Sequence, residues 1–197
     1  INVSWIFLSY DLKNELESWK TNAELGGGAT SFYFSHILYY LEYFLGPIKT
    51  IQGELILSDK NINKGETGVE ITAIFESGCV GKIFLDISSE KDEHKVEFIG
   101  DKGSLILKNN SHAIVDNFEL IYKKSEEINK IHVEKNLNFS NILEEDPRVK
   151  IVALIAERFV KWCVTGIESK PNFQDGLRVQ ELIEVTKKLT HKNNYKN

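Results

Sequence analysis

The sequence predicts an α+β fold: a mostly antiparallel open sheet with helices packed on one face, the other face being available for oligomerisation. Three observations carry this. Through the middle of the chain apolar and polar residues alternate, the mark of half-buried strands. Near the start, and twice near the end, the apolar spacing changes to that of a helix. The middle strands follow one another through short turns, which join antiparallel neighbours and cannot join parallel ones.

Val3 to Tyr10 is rich in β-branched and aromatic residues and reads as the first strand. Ser31–Leu45 reads as a helix with Ile37, Leu38, Leu41, Phe44 and Leu45 on its apolar face, stopped by Gly46-Pro47. Ile48 to Leu57 is a strand candidate. Val69, Ile71, Ala73 and Phe75 then alternate with Glu70, Thr72 and Glu76, and Glu76 to Gly78 turns the chain into a return strand from Gly81. Val96 to Gly100 and Gly103 to Lys108 flank Asp101-Lys102, with glycines supplying the turn. Phe118 to Tyr122 and Lys130 to Val133 complete the strand candidates, for about five to seven strands. Arg148–Thr165 carries the stripe Val149, Val152, Ala153, Ala156, Phe159, Val160 and Cys163, and Gly166 ends it. Asp175 is placed to cap a last helix, Asp175–Leu189, with Val179, Leu182, Ile183 and Leu189 inward. The polar tail from Thr190 is expected to fray. Apolar side chains in Val69–Phe75 and Ile83–Ile87 exceed what three helices are expected to cover, so the open sheet face is expected to meet a second copy of the chain.

Composition narrows the function. The 197 residues are 42% apolar and 27% charged, which suits one packed domain spanning 1–197. A net charge of -5 with interspersed signs argues against a nucleic-acid partner. No apolar run approaches the ~20 residues that cross a bilayer, so no membrane partner is expected. The start has no basic region or cleavage site and reads as a strand rather than a signal peptide. Cys79 and Cys163 lie in no C-x-x-C and are expected to be reduced, partly buried thiols of a cytoplasmic protein. The five histidines show no metal-ligand spacing, so no metal is expected. The chain has no methionine, so a segment preceding Ile1 is expected.

One stretch concentrates chemistry: ELGGGATSFYFSH, Glu24 to His36. It is not a dinucleotide fingerprint, because Ser31 stands where the third glycine belongs and no buried strand leads in. A tight backbone approach leading into a helix fits better. A histidine close to such a turn suits proton transfer, since an unperturbed imidazole titrates near ~6.5. Tyr33 and Tyr40 lie at i−3 and i+4 from it and are expected to share its helix face and line one pocket. Ser169-Lys170-Pro171 looks like a lysine–proline motif but sits between two helices, where a linker lysine is expected.

The stretch SWKTNAELGGGATSFYFSHILYYLEYFLGPI resembles the signature of the glucose–fructose oxidoreductase/inositol dehydrogenase (Gfo/Idh/MocA) family. That family shows Trp-Arg, three glycines, a helix with Asp-x-Gly-x-His, and a Leu-Gly ending. Trp19-Lys20, Gly26-Gly27-Gly28, His36 and Leu45-Gly46 stand at matching offsets. VEFIGDKGSLIL and KPNFQDGLRVQELIEV resemble two later segments. The resemblance covers nearly the whole chain, but only the family's C-terminal, substrate and oligomerisation domain. The N-terminal Rossmann domain, which binds NAD or NADP and supplies a catalytic lysine, has no counterpart here, so no cofactor is expected on this chain itself.

The resemblance implies a substrate-binding half of an oxidoreductase acting on a hydroxyl of a sugar, nucleotide sugar or cyclitol. It implies His36 as the catalytic acid/base and Trp19, Lys20, Gly27, Gly28, Tyr33 and Tyr40 around the substrate, with the helix N-terminal amides facing ligand. Homo-oligomerisation through the sheet is implied as well. The sequence departs from the pattern at the family's aspartate, which falls on Phe32, at its glycine, which falls on Phe34, and at a later acid, which falls on Tyr39. A non-catalytic ligand-binding or assembly module is therefore the alternative.

Overall fold

The computed structural model describes residues 1–58, 65–111, 117–133 and 148–193. Its centre is one nine-stranded sheet in the order β8-β7-β6-β5-β1-β4-β3-β2-β9. The strands are β1 (Asn2–Leu8), β2 (Ile48–Leu57), β3 (Gly68–Phe75), β4 (Val80–Asp86), β5 (Ser88–Gly100), β6 (Gly103–Asn109), β7 (Glu119–Lys124), β8 (Glu127–Ile131) and β9 (Thr190–Asn193). Only β1 with β4 and β2 with β9 run parallel, so the sheet is mixed but mostly antiparallel. The helices are a single turn α1 (Tyr10–Lys13), α2 (Ser35–Leu45), α3 (Arg148–Thr165) and α4 (Phe173–Thr186).

The expected hairpins form as read. Gly78, with φ +83°, turns β3 into β4, and Gly103, with φ +140°, begins β6 after the Asp101-Lys102 turn. The sheet is wider than the five to seven strands expected. Residues 190–193 do not fray: they add β9 to the free edge of β2, whose backbone groups would otherwise go unpaired. Residues 194–197 lie outside the described residues.

The core lies between the sheet and α2 and α4. Val69, Ile71, Ala73 and Phe75 of β3 and Ile83 and Leu85 of β4 meet Ile37, Leu38 and Leu41 of α2 and Leu182 and Ile183 of α4, and all are buried. Each of these side chains larger than Ala73 contributes about 1.5–3 kcal/mol. This reduces the apolar surplus expected on the open face without removing it, since Ile74 and Phe84 stay on that face. The apolar residues of 69–75 and 83–87 are mostly consumed beneath the helices. Directly opposed residues of neighbouring strands share a face, and the pairs Glu70–Phe84, Thr72–Lys82, Asn2–Lys82, Ile74–Val80 and Glu97–Ile106 give the open face a mixed polar and apolar surface. Phe84, Ile74, Val80 and Ile106 are the apolar groups among them, with Ile74 and Val80 exposed.

Two further expectations change. The last helix starts at Phe173, not Asp175. Asn172 is its N-cap, accepting from the Asp175 N–H at 2.8 Å while Asp175 accepts from the Asn172 N–H at 2.9 Å. That reciprocal capping box satisfies two donors where Asp175 alone would satisfy one. The helix α3 forms over the expected range and ends at Gly166, whose φ is +70° and whose N–H reaches the Trp162 carbonyl. Its apolar stripe buries no residue: Val149, Val152, Phe159 and Val160 are exposed. Cys79 is partly buried, whereas Cys163, on α3, is exposed, and both thiols are free.

One polar clamp ties α2, β2 and α4 together. Glu42, at the end of α2, accepts from the Ile48 N–H at 2.7 Å and from Arg178 Nη2 at 3.0 Å. The same Arg178 Nη2 donates to the Ile48 carbonyl at 2.8 Å. Removing the guanidinium leaves a half-buried carboxylate and a carbonyl without their charged donor. Arg178→Leu is expected to cost about 1–3 kcal/mol, read as a lower urea midpoint at unchanged slope.

Candidate functional site

The glycine triplet enters the helix through a turn whose amides are all committed within the protein. The N–H groups of Gly26, Gly27 and Gly28 donate to the carbonyls of Ala23, Asn22 and Lys20, the last at 2.7 Å. The Ala29 N–H donates to the Glu66 carbonyl at 2.8 Å and the Thr30 N–H to Glu66 Oε1 at 3.0 Å. Glu66 is buried. Its carboxylate thus fills the helix entrance, where a phosphate would otherwise be favoured by free donors and the helix dipole. The expected offer of these amides to a ligand is overturned: the protein supplies its own anion.

The same packing explains two of the glycines. A Cβ on Gly27 would stand 1.9 Å from the Trp19 carbonyl oxygen. A Cβ on Gly28, whose φ is +118°, would stand 2.2 Å from both Glu66 carboxylate oxygens. The tight approach expected from the sequence is therefore present, and it is made to Trp19, Lys20 and Glu66.

Beyond the turn, Thr30–Phe34 winds as a π-helical turn before α2 continues. Such turns carry an extra residue and shift the phase of the side chains that follow. Tyr33 and His36 both face Trp5 of β1, with ring centroids 6.0 and 6.4 Å from the indole. A continuous row of rings results. Trp19 lies 5.8 Å from Phe32, Phe32 lies 4.8 Å from Tyr33, and Trp5 stacks on His94 at 4.7 Å with an 11° tilt. Phe118 lies edge-on to His94 at 5.4 Å, and Phe7 flanks Tyr33 at 5.0 Å. Lys20 Nζ sits 4.6 Å from the centre of the Phe32 ring, a cation–π contact.

Trp19, Lys20, Tyr33 and His36 are thus brought to one wall, with Gly27 and Gly28 behind it. Tyr40 departs from the expected pocket. It packs against the hydrophobic core, and its hydroxyl is enclosed with no hydrogen-bond partner among the described residues. Burial pushes its phenol well above the usual range. The three turn-spaced residues share a helix side, but α2 descends onto the sheet, so the last one is deeper.

The electrostatics follow from the aromatic surroundings. His36 keeps an exposed surface, yet desolvation holds its pKa below the ordinary histidine value. Tyr33 is raised by desolvation first and by the Asp11 carboxylate second. Asp11 accepts from Ser18 Oγ at 2.7 Å and is the acid set beside this wall. His94 is depressed to about 4 by burial. Among the described residues no group of three or more His, Cys, Asp or Glu could hold a metal ion. Lys170 of the linker pairs with Asp175 at 3.1 Å, far from this wall in its interactions.

Trp5, Phe7, Glu66 and His94 are not singled out by the sequence pattern. The alternation Val3, Trp5, Phe7 does put the two rings on one strand face. His94 becomes visible only through the β1–β5 register, which sets it directly opposite Trp5.

The oxidoreductase-family model for a C-terminal α/β domain, Gfo/Idh/MocA, matches residues 1–194. An uncharacterised oxidoreductase of Synechocystis is 25% identical over 202 residues, covering 95% of this chain and 54% of that protein. Biliverdin reductase of Synechocystis, in complex with biliverdin and NADP+, superposes with a TM-score of 0.73 at 11% identity, over 96% of this chain and 54% of that one. KijD10, a 3-ketoreductase from Actinomadura kijaniata in complex with NADP and TDP-benzene, gives 0.69 at 12% identity, over 100% and 55%. The WlbA dehydrogenase of Bordetella pertussis, with NADH and UDP-GlcNAcA, gives 0.68 at 16% identity, over 94% and 50%. At these identities the solved structures establish the fold, and the chain spans about half the length of each protein it matches.

The three glycines should respond unequally to alanine. At Gly26, with φ +79° and nothing within 4 Å of a Cβ, the cost is that of a left-handed residue alone, about 1 kcal/mol. At Gly27 and Gly28 the clash is with backbone or a buried carboxylate, and losses of about 3 kcal/mol or more are expected. Thermal unfolding of the three variants measures the order.

Proposed function

Because the chain belongs to the Gfo/Idh/MocA oxidoreductase family and forms its C-terminal α/β domain, we propose that it is the substrate-binding and assembly half of an NAD- or NADP-dependent dehydrogenase. The substrate proposed is a hydroxyl-bearing sugar, nucleotide sugar or cyclitol. The observation that carries this is the placement of His36: an imidazole one turn into a rigidly entered helix, exposed on one side and backed by Trp5 and Tyr33 on the other.

The nicotinamide cofactor supplies hydride chemistry in such enzymes. The residues described here do not fit its pyrophosphate, since the one glycine-rich helix entrance is filled by Glu66. Its binding is therefore assigned to a polypeptide portion outside this chain, proposed to be a Rossmann domain docking on the helical side where His36 is exposed.

Within this chain His36 takes the proton from the substrate hydroxyl, or returns it in the reverse direction. Desolvation keeps the imidazole neutral, and therefore basic, around neutral pH. Trp19, Phe32 and Tyr33 offer ring faces to the apolar side of a sugar ring. Lys20 and the backbone around Gly27 and Gly28 hold that wall in place. Phe32 stands where the family keeps a carboxylate, so His36 is oriented here by aromatic contacts rather than by an ion pair. That departure also favours a second reading, a ligand-binding or assembly module without catalysis.

Assembly into homo-oligomers through the open sheet face belongs to the same proposal, with polar and charged complementarity around the apolar groups Phe84, Ile74, Val80 and Ile106. A cytoplasmic location is proposed with it. No helix among the described residues is long and apolar enough to cross a membrane.

In the intact protein, His36→Ala should lower kcat by ~10²–10⁴. The acidic limb of the wild-type kcat/KM profile should lie below the ordinary 6.5 of histidine, with activity rising as pH increases through it, because the neutral form is the base. Unchanged kcat in His36→Ala would leave the non-catalytic module. Sedimentation equilibrium should show self-association, and charge reversal of Lys82 on the open face should weaken it.

A further inference from the structure

We propose that His94 is a second substrate-positioning residue, whose Nε2 hydrogen-bonds a substrate hydroxyl beside the one served by His36; this rests on the reading above that the domain takes a hydroxylated ring. The two imidazoles come from elements 58 residues apart in sequence number, α2 and β5, and meet around one indole. His94 lies flat on Trp5 at 4.7 Å, and His36 lies edge-on to the same ring at 6.4 Å.

The His94 Nε2 is enclosed and has no hydrogen-bond partner among the described residues. An unsatisfied buried polar atom carries an energetic cost, and each such case in a folded protein calls for an explanation. Packing does not supply one. A phenylalanine at this place would keep both the stack on Trp5 and the edge contact to Phe118, without the orphaned nitrogen. The nitrogen is retained on a ring stacked on the same indole that the exposed His36 imidazole meets edge-on.

The chemistry of the partner follows from the state of the ring. Burial keeps His94 neutral over the physiological range. A neutral imidazole presents an N–H on one nitrogen and a lone pair on the other, and a hydroxyl meets either, since it both donates and accepts. An anionic group would satisfy only the N–H tautomer and would pay its own desolvation against aromatic rings. Because the nitrogen is enclosed, access requires a neighbouring side chain to shift, and Phe118, edge-on to His94 at 5.4 Å, is the less restrained of its two ring neighbours. Phe118 lies in the irregular stretch just before β7, next to Asn117 with φ +63°, and is not held in a ladder as Trp5 is.

The test is nitrogen NMR of the intact protein labelled with [15N]histidine, with resonances assigned from His94→Phe and His36→Ala. The probes are myo-inositol, D-glucose and UDP-glucose, each titrated to saturation. The expected result is that the His36 and His94 Nε2 resonances move along one binding curve for at least one probe. His94→Phe, which keeps the stack, should then bind that probe roughly 3- to 10-fold more weakly, while His36 still responds. Movement of His36 without His94 would overturn this inference and leave the proposed function standing, as would wild-type affinity in His94→Phe. Silence of both imidazoles with all three probes would count against the proposed function itself. The wild-type titration decides the matter even where a variant fails to fold.

Discussion

The buried carboxylate of Glu66 at the entrance to the helix is the interaction from which the rest of the site is set. It accepts from the Thr30 N–H, while its own carbonyl accepts from Ala29. Two orphan donors of the first helical turn are thereby satisfied by one residue. A charge in this position is favoured by the helix dipole, but a carboxylate this buried is tolerable only while those donors stay in place. The helix therefore cannot rotate or slide without exposing the cost. The direction of Tyr33 and His36 is fixed by a residue that touches neither, and Gly28 is the consequence, because only a missing side chain lets the carboxylate in.

The second constraint is the register between β1 and β5. It places His94 opposite Trp5 and, by the two-residue period, Val3, Trp5 and Phe7 on the side facing the helices. A slip of one residue would turn Trp5 to the polar open face and dissolve the row of rings. Val3 lies in the core and anchors that register, being 3% exposed. The helix and the sheet thus each bring one imidazole to a shared indole, and neither element holds a site alone.

Much of this was legible in the sequence, and the rest was hidden for physical reasons. Strands with clean alternation, the stop at Gly46-Pro47 and the end of α3 at Gly166 are local signals, and all appear where expected. The edge strand β9 was not readable, because a short polar segment becomes a strand only when a neighbour offers unpaired backbone. The cap on α4 shifted to Asn172 because asparagine and aspartate at i and i+3 divide one capping box between them. His36, Tyr33, Trp19 and Lys20 were singled out through local spacing and family resemblance, and the structure sets them along one wall. Glu66 and His94 were not, since each matters only through a partner dozens of residues away. Tyr40 misled because helical spacing fixes the side of a helix but not the depth at which that side meets the sheet.

The distribution of unburied apolar surface bears on how such a half-site becomes complete. On the helical side Val152, Val160 and Val164 of α3 are exposed, with Phe173 and Leu177 of α4. The open sheet face presents Glu70, Thr72 and Lys82, with Lys95 paired to Glu97 at 2.7 Å, and mixes these with apolar groups such as Ile74 and Val80. Water stabilises the polar groups and disfavours the apolar ones. The helical side is also the side from which His36 is reached. A single docking event there would bury the apolar helices and close the wall of rings against solvent. Desolvating His36 further lowers its pKa and strengthens each hydrogen bond formed in the closed site. The ordered core does not depend on such docking, because it is closed between the sheet, α2 and α4, while the exposed residues of α3 lie outside it.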